Sequence, residues 1–149
     1  MTQASSRIVP PADPAYTPGP EELAALDDWF QRYDAYAAAG DVAGTASLAV
    51  FPLNTVTDDS SGEGSVRQLD REEYLRVMGG ALGAPGDLTM TSTRTPYLLT
   101  PSLAVVFTEA EFTVDGQSQR GRYADVLVRT GGEWRFQTMI QGGWGDQAG

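Results

Sequence analysis

Residues 102–140 read SLAVVFTEAEFTVDGQSQRGRYADVLVRTGGEWRFQTMI, and the two turn signals inside that stretch decide the fold. Asp115-Gly116 and Gly131-Gly132 are dipeptides that two-residue hairpins select, because both central positions need positive φ. The spacing therefore predicts three antiparallel strands joined by two tight turns. Counting outward from the first turn sets Val106 opposite Asp125, Thr108 opposite Tyr123 and Ala104 opposite Leu127. Counting from the second sets Asp125 opposite Thr138, Leu127 opposite Phe136 and Tyr123 opposite Ile140. Side chains alternate between faces, so Ala104, Val106, Thr108, Tyr123, Asp125, Leu127, Trp134, Phe136, Thr138 and Ile140 share one. That face is apolar except for two threonines, a tyrosine and one carboxylate. A carboxylate there must be hydrogen-bonded, paired or protonated, which makes Asp125 the first candidate for chemistry.

The opposite face carries Val105, Phe107, Val126, Val128 and Met139 beside Glu109, Glu111, Arg122, Arg135 and Gln137. It is too apolar to stand wholly in water, and a homodimer packed through this outer face is expected. Upstream, Leu88 to Leu99 reads as a long threonine-rich strand in which Pro96 marks a bulge or an edge. Phe51 to Thr57 and Ser65 to Leu69 read as two more strands around the polar loop Asp58 to Gly64. Asp58, at the strand end, is either a solvated turn residue or a carboxylate aimed into the domain. Gly142-Gly143-Trp144 closes the chain and places Trp144 at a pocket mouth or over the sheet edge.

Three helices precede or interrupt these strands. Pro20 to Ala39 opens with Pro at the first helical position and acids at the positive end of the dipole. Leu23, Leu26, Phe30, Tyr33 and Ala37 give it one buried stripe, and Gly40 stops it. Asp41 caps a short helix from Val42 to about Ala49. Asp70 with Glu73 forms a capping box for a third helix to about Leu82, with Tyr74, Val77, Met78 and Leu82 facing inward. Residues 1–19 are proline-rich without apolar period and read as a flexible tail, or as an extended arm laying Ile8, Val9 and Tyr16 on a neighbouring surface, leaving a single domain over 20–146.

Composition limits the chemistry. There is no cysteine and no histidine among 149 residues, which excludes thiol and histidine-based catalysis and Cys/His zinc sites. A net charge of −10 disfavours nucleic acid and anionic membranes as partners. No apolar run has the length of a transmembrane helix and the first residues show no basic-then-apolar signal, so a cytoplasmic location is expected. The element order predicts an α+β fold, a curved, mostly antiparallel sheet wrapped around three helices. Three helices leave part of the concave face as an apolar pocket. Asp125, Tyr123, Thr108, Thr138, Phe136 and Val106 would line it, with Tyr33 arriving from the helix opposite.

Tyr33, Tyr36, Gly40 and Asp41 (Tyr-x-x-Tyr-x-x-x-Gly-Asp) and the segment Gly132-Glu133-Trp134-Arg135-Phe136 resemble the nuclear-transport-factor-like superfamily over about Leu23 to Trp144. The resemblance implies a cone-shaped, cystatin-like α+β barrel. That superfamily holds SnoaL-like polyketide cyclases, ketosteroid isomerases, limonene epoxide hydrolases, scytalone dehydratases and many non-catalytic binding domains. Against the isomerases, Gln31-Arg32-Tyr33 matches the segment bearing an oxyanion-hole tyrosine, and Asp125 matches the protonated aspartic acid of that hole. The family's base falls at Thr57-Asp58, so Asp58 would serve only with a one-residue shift, and the proline after the base is missing. In SnoaL-like cyclases a buried aspartate is the acid/base, a role that would fall to Asp125. The Arg-x-Asp of the epoxide hydrolases is replaced by Thr108-Glu109-Ala110, and the histidines of scytalone dehydratases are absent. The resemblance implies a cofactor-free and metal-free isomerase or cyclase acting on an apolar carbonyl compound. Its alternatives are a non-catalytic small-molecule-binding or dimeric accessory domain, and an epoxide hydrolase.

Overall fold

The computed structural model describes residues 16–82 and 89–146. Most of the predicted tail lies outside the described residues. Tyr16, at its end, packs against the core, and its hydroxyl donates to Glu22.

Helix α1 spans Pro20–Ala38 and buries Leu26, Trp29 and Phe30. Leu23, counted on the buried stripe, is exposed in the first turn of the helix, and Trp29 joins Leu26, Phe30 and Tyr33 on the inward side. The helix ends in a left-handed Gly40 (φ 68°), with Asp41 N donating to Tyr36 O and Gly40 N to Ala37 O. This pairing satisfies the last carbonyls and turns the chain sharply. Asp41 then caps α2, Val42–Ala46, through Gly44 N to its Oδ1 at 2.9 Å. A Cβ on Gly44 would sit 2.4 Å from the Tyr36 ring, so glycine is what lets α2 fold back on α1. Helix α3, Arg71–Leu82, carries the predicted capping box, Glu73 N to Asp70 Oδ1 at 2.8 Å and Asp70 N to Glu73 Oε1 at 3.4 Å. Tyr74 and Met78 pack inward as predicted, joined by Leu75, whereas Val77 is exposed.

The strands are β1 Ala49–Asp58, β2 Gly64–Leu69, β3 Thr89–Thr100, β4 Leu103–Val114, β5 Gln117–Thr130 and β6 Glu133–Gln141. They form one sheet in the order β2-β1-β6-β5-β4-β3, antiparallel throughout except where β1 runs parallel to β6. The helices cover its concave face, an α+β architecture as the element order predicts. Pro96 lies on β3, which is an edge strand. There its missing N–H costs no ladder bond inside the sheet.

Both turns form as read, with Asp115, Gly116, Gly131 and Gly132 at positive φ. The first hairpin has the predicted register, Val106 against Asp125 and Thr108 against Tyr123. The second starts correctly, Leu127 against Phe136, and then slips by one residue at a bulge beside Gln137. Beyond it Met139, not Thr138, faces Asp125, and Gln141, not Ile140, faces Tyr123. An extra residue in one strand reverses the parity of everything after it. Met139 is therefore buried and Ile140 is 38% exposed, the opposite of the assignment from alternation.

On the convex face one row crosses five strands, Phe107, Ala124, Ile140, Val56 and Val66. Tyr97, Leu99 and Leu103 extend it toward the β3–β4 turn, all exposed. The bulge can be tested by stability. Met139→Ala is expected to cost about 2–4 kcal/mol and Ile140→Ala about 1 kcal/mol or less in urea denaturation, and the reverse order would restore the unbulged register.

Candidate functional site

The concave face opposite α1 holds Asp125, in the middle of β5 and 6% exposed. Val106, its cross-strand partner on β4, is fully buried. Among the described residues no hydrogen bond reaches the Asp125 carboxyl. Burial pushes its pKa up to about 7, opposed by the positive charge of Arg94. An acid in this setting changes charge near neutrality, where a proton-transfer group is most effective.

Three phenols surround it. Burial drives Tyr33 far above the ordinary tyrosine range, with Tyr74, Asp125 and Tyr123 adding to the rise and Arg94 opposing it. Tyr123 is raised chiefly by burial, against the opposing charge of Arg94. Tyr74 is raised by burial too, although its hydroxyl donates to Thr45 Oγ1 at 3.0 Å. All three stay protonated, Tyr74 with its proton engaged by Thr45. The Tyr33 hydroxyl has no hydrogen-bond partner among the described residues.

Arg94 on β3 completes the group. Its Nη1 and Nη2 bond the two oxygens of Asp34 on α1, both at 2.7 Å, and its guanidinium carbon lies 4.3 Å from the centre of the Phe30 ring. Burial works against the Arg94 charge, but the hydrogen bonds and charge of Asp34 outweigh it and hold the guanidinium protonated. Arg94 and Asp34 escaped the sequence reading, and Tyr74 entered it only as an inward-facing residue of the third helix. Counting back from the Thr100–Leu103 pair puts Arg94 opposite Glu109, on the outer face. A shift in register between Leu98 and Thr100 instead pairs it with Thr108, on the inner face. The one signal available was Asp34, a charged residue directly after the stripe tyrosine.

Several predicted site residues are elsewhere. Thr138 follows the Gln137 bulge onto the outer parity, where its hydroxyl accepts from Asn54 Nδ2 at 3.4 Å and donates to Gln137 Oε1 at 2.6 Å. Phe136 is packed among rings and lines neither of the clefts described below. Its ring lies 4.8 Å from Trp29, 6.1 Å from Phe30 and 5.0 Å from Tyr33, and it is 1% exposed. This ring cluster fills much of the concavity that the helix count left open. Two open clefts lie away from Asp125, one on the convex face at Thr91, Glu109 and Arg122, the other between Trp29, Arg32, Arg129 and Trp134. Trp144 packs over the end of β1, its backbone N–H donating to Thr57 Oγ1 at 3.0 Å.

Asp58 is not brought to Asp125. Leu53 and Thr55 are buried on β1, so alternation sends Asp58 to the other face, where it is exposed. Its Oδ1 accepts from Gly143 N at 2.8 Å and ties the end of β1 to the C-terminal turn. The inward place at this strand end belongs to Thr57, which does not titrate near neutral pH. Among the described residues no cluster of three or more His, Cys, Asp or Glu could hold a metal ion, and no helix is long and apolar enough to cross a membrane.

Solved structures share this arrangement of helices over a curved sheet. An NTF2-like protein of unknown function from Pseudomonas putida superposes with a TM-score of 0.66 at 14% identity, over 80% of this chain and 84% of that one. The chain has the NTF2-like fold. A provisional scytalone dehydratase from Novosphingobium aromaticivorans matches with a TM-score of 0.60 at 16% identity, over 80% of this chain and 82% of that one. A provisional calcium/calmodulin dependent protein kinase II association domain from Xanthomonas campestris matches with a TM-score of 0.62 at 22% identity, over 89% and 92%. No family model and no curated protein matches the chain. NTF2-like neighbours thus include a dehydratase-like protein, an association domain and others of unknown function.

The Asp125 environment has a stability signature. Its folded pKa lies above the unfolded value of 3.8, so the native state alone holds the proton between about pH 4 and 7. This contribution is fully present below pH 4, is lost as pH rises to about 7, and is flat above that. Relative to Asp125→Asn, the wild type should lose about 4 kcal/mol of stability across that window, measured by urea denaturation at each pH. A difference independent of pH would mean that the carboxyl is solvated.

Proposed function

We propose that the chain is a small cofactor-independent acid/base enzyme, an isomerase or cyclase, acting on an apolar compound with an enolisable carbonyl. The observation that carries this reading is Asp125, a buried carboxyl without a hydrogen bond among the described residues, poised near neutrality among protonated phenols. Its carboxylate takes a proton from the carbon next to the carbonyl and returns it to another position, or leaves the enolate to close a ring. Tyr33, held protonated on α1, donates to the carbonyl oxygen as negative charge develops there. Both acid and base steps fall to Asp125, since Asp58 faces away from it. The provisional dehydratase among the fold neighbours is consistent with a catalytic use of this concavity.

Exchange of the α-protons of 2-tetralone for deuterium, followed by NMR, tests the reading. The wild type is expected to accelerate exchange with a rate that rises through about pH 7 and then levels. Asp125→Asn should reduce it to background, and Tyr33→Phe should lower it by roughly 10²-fold, the loss typical of one oxyanion donor. An undiminished rate in Asp125→Asn removes the catalytic role.

A second reading is a non-catalytic domain that binds a small apolar molecule or serves assembly. It is favoured by the rings of Trp29, Phe30 and Phe136, which fill the concave face, and by the association domain among the fold neighbours. Under it, 2-tetralone binds without exchange at any pH.

Both readings include a homodimer packed through the convex face, where Phe107, Ile140 and Val66 form part of one apolar row. Phe107→Glu is expected to shift a dimer to monomer in sedimentation velocity, because a carboxylate cannot be buried unpaired in such a contact. A monomeric wild type would exclude the dimer.

A further inference from the structure

Arg94, Thr108 and Tyr123 form one row across β3, β4 and β5, on the face that carries Asp125. Both Nη atoms of Arg94 are occupied by Asp34, which leaves the Nε–H. That N–H is buried and, among the described residues, makes no hydrogen bond of ordinary geometry, with the Tyr123 hydroxyl as the polar group at the guanidinium. Thr108 is 1% exposed, and its hydroxyl is also buried without a partner among the described residues. An inward Thr–Arg pair carrying two unsatisfied donors is a cost that the fold itself does not recover. As direct cross-strand neighbours the two residues have Cβ atoms about 4.5–5.5 Å apart, so both side chains leave the sheet at one place on its inner face. Asp125 is the diagonal neighbour of Thr108, roughly 7–8 Å away on the same face. That spacing suits a carbonyl group whose α-carbon meets the carboxylate while its oxygen, two bonds further, meets the two donors.

We infer that Arg94 Nε and Thr108 Oγ1 form the subsite that receives the carbonyl oxygen of an uncharged, enolisable ketone, an assignment that rests on the acid/base role proposed for Asp125. The Asp125 carboxylate takes the α-proton, the C–H electron pair becomes the C=C bond of the enolate, and the carbonyl π pair moves onto oxygen. There the Nε–H and Oγ–H join the Tyr33 hydroxyl in stabilising it until the proton returns to carbon. The substrate is uncharged because the Arg94 charge is already matched by Asp34, so a carboxylate would meet Asp125 with no free cation to offset the repulsion. Both donors are closed to water, and Tyr123, partly exposed and with its hydroxyl at the Arg94 guanidinium, is the side chain that must give way to admit the oxygen.

The test compares wild type, Thr108→Val, Thr108→Ser and Asp125→Asn in the exchange of 2-tetralone. Thr108→Val has the same shape and removes an unsatisfied hydroxyl, so its thermal midpoint should be no lower than that of wild type. It should lower kcat by about 10- to 100-fold with KM and the pH midpoint unmoved, and Thr108→Ser should restore the rate. A full rate in Thr108→Val, or a change confined to KM, overturns the subsite and leaves the role of Asp125 to stand on the Asp125→Asn result. Absence of exchange by the wild type overturns the acid/base reading and the subsite together.

Discussion

The seat of α1 on β6 is the contact on which the other positions depend. Trp29, Phe30 and Tyr33 present one side of the helix, and Phe136 meets all three rings at 4.8–6.1 Å, mostly edge to face. Rings packed by edge and face have few equivalent arrangements, so the helix cannot slide along the sheet without opening a gap. The residues next in line follow from that seat. Tyr33 is brought near Asp125, and Asp34 comes within 2.7 Å of Arg94 across the concavity. The same packing explains why the concave face holds a compact polar cluster and not a wide empty chamber.

A competition for Arg94 sets the character of Asp125. Two carboxylates lie near one guanidinium, one on the helix and one on the sheet. Asp34 takes the paired Nη atoms, a geometry in which arginine binds a carboxylate most strongly. Asp125 receives only the residual charge, which is not enough to offset its burial, and so its pKa rises. An ion pair at the mouth thereby leaves a proton-holding acid in the interior. The surrounding phenols are raised by the same dry setting and stay neutral, so the cluster carries donors without adding charge.

Much of this was legible in the chain. The two glycine turns located the meander, alternation found Asp125 on an apolar face, and the helical spacing placed Tyr33 across from it. The capping residues Asp41 and Asp70 announced α2 and α3, and the capping box at Asp70 formed as read. What failed did so at particular places. Thr138, Met139 and Ile140 were assigned to the wrong faces, and Arg94 was not recognised at all. Asp58 was a candidate base only while the parity of β1 was unknown, and Leu53 and Thr55 decide that parity by their burial.

Turn chemistry, alternation and composition by themselves determined the α+β class, the register of the first hairpin and the absence of thiol or histidine chemistry. These rest on local φ, ψ preferences and on side-chain period, which a sequence displays directly. Two register shifts, one beside Leu99 and one beside Gln137, were decided only in the folded sheet. Each inserts one residue to let a twisted sheet bend around α1, and no local preference marks where the bend must fall. The first turned Arg94 inward beside Thr108, and the second put Met139 opposite Asp125, so tertiary curvature chose the neighbours of the carboxylate that the sequence had already singled out.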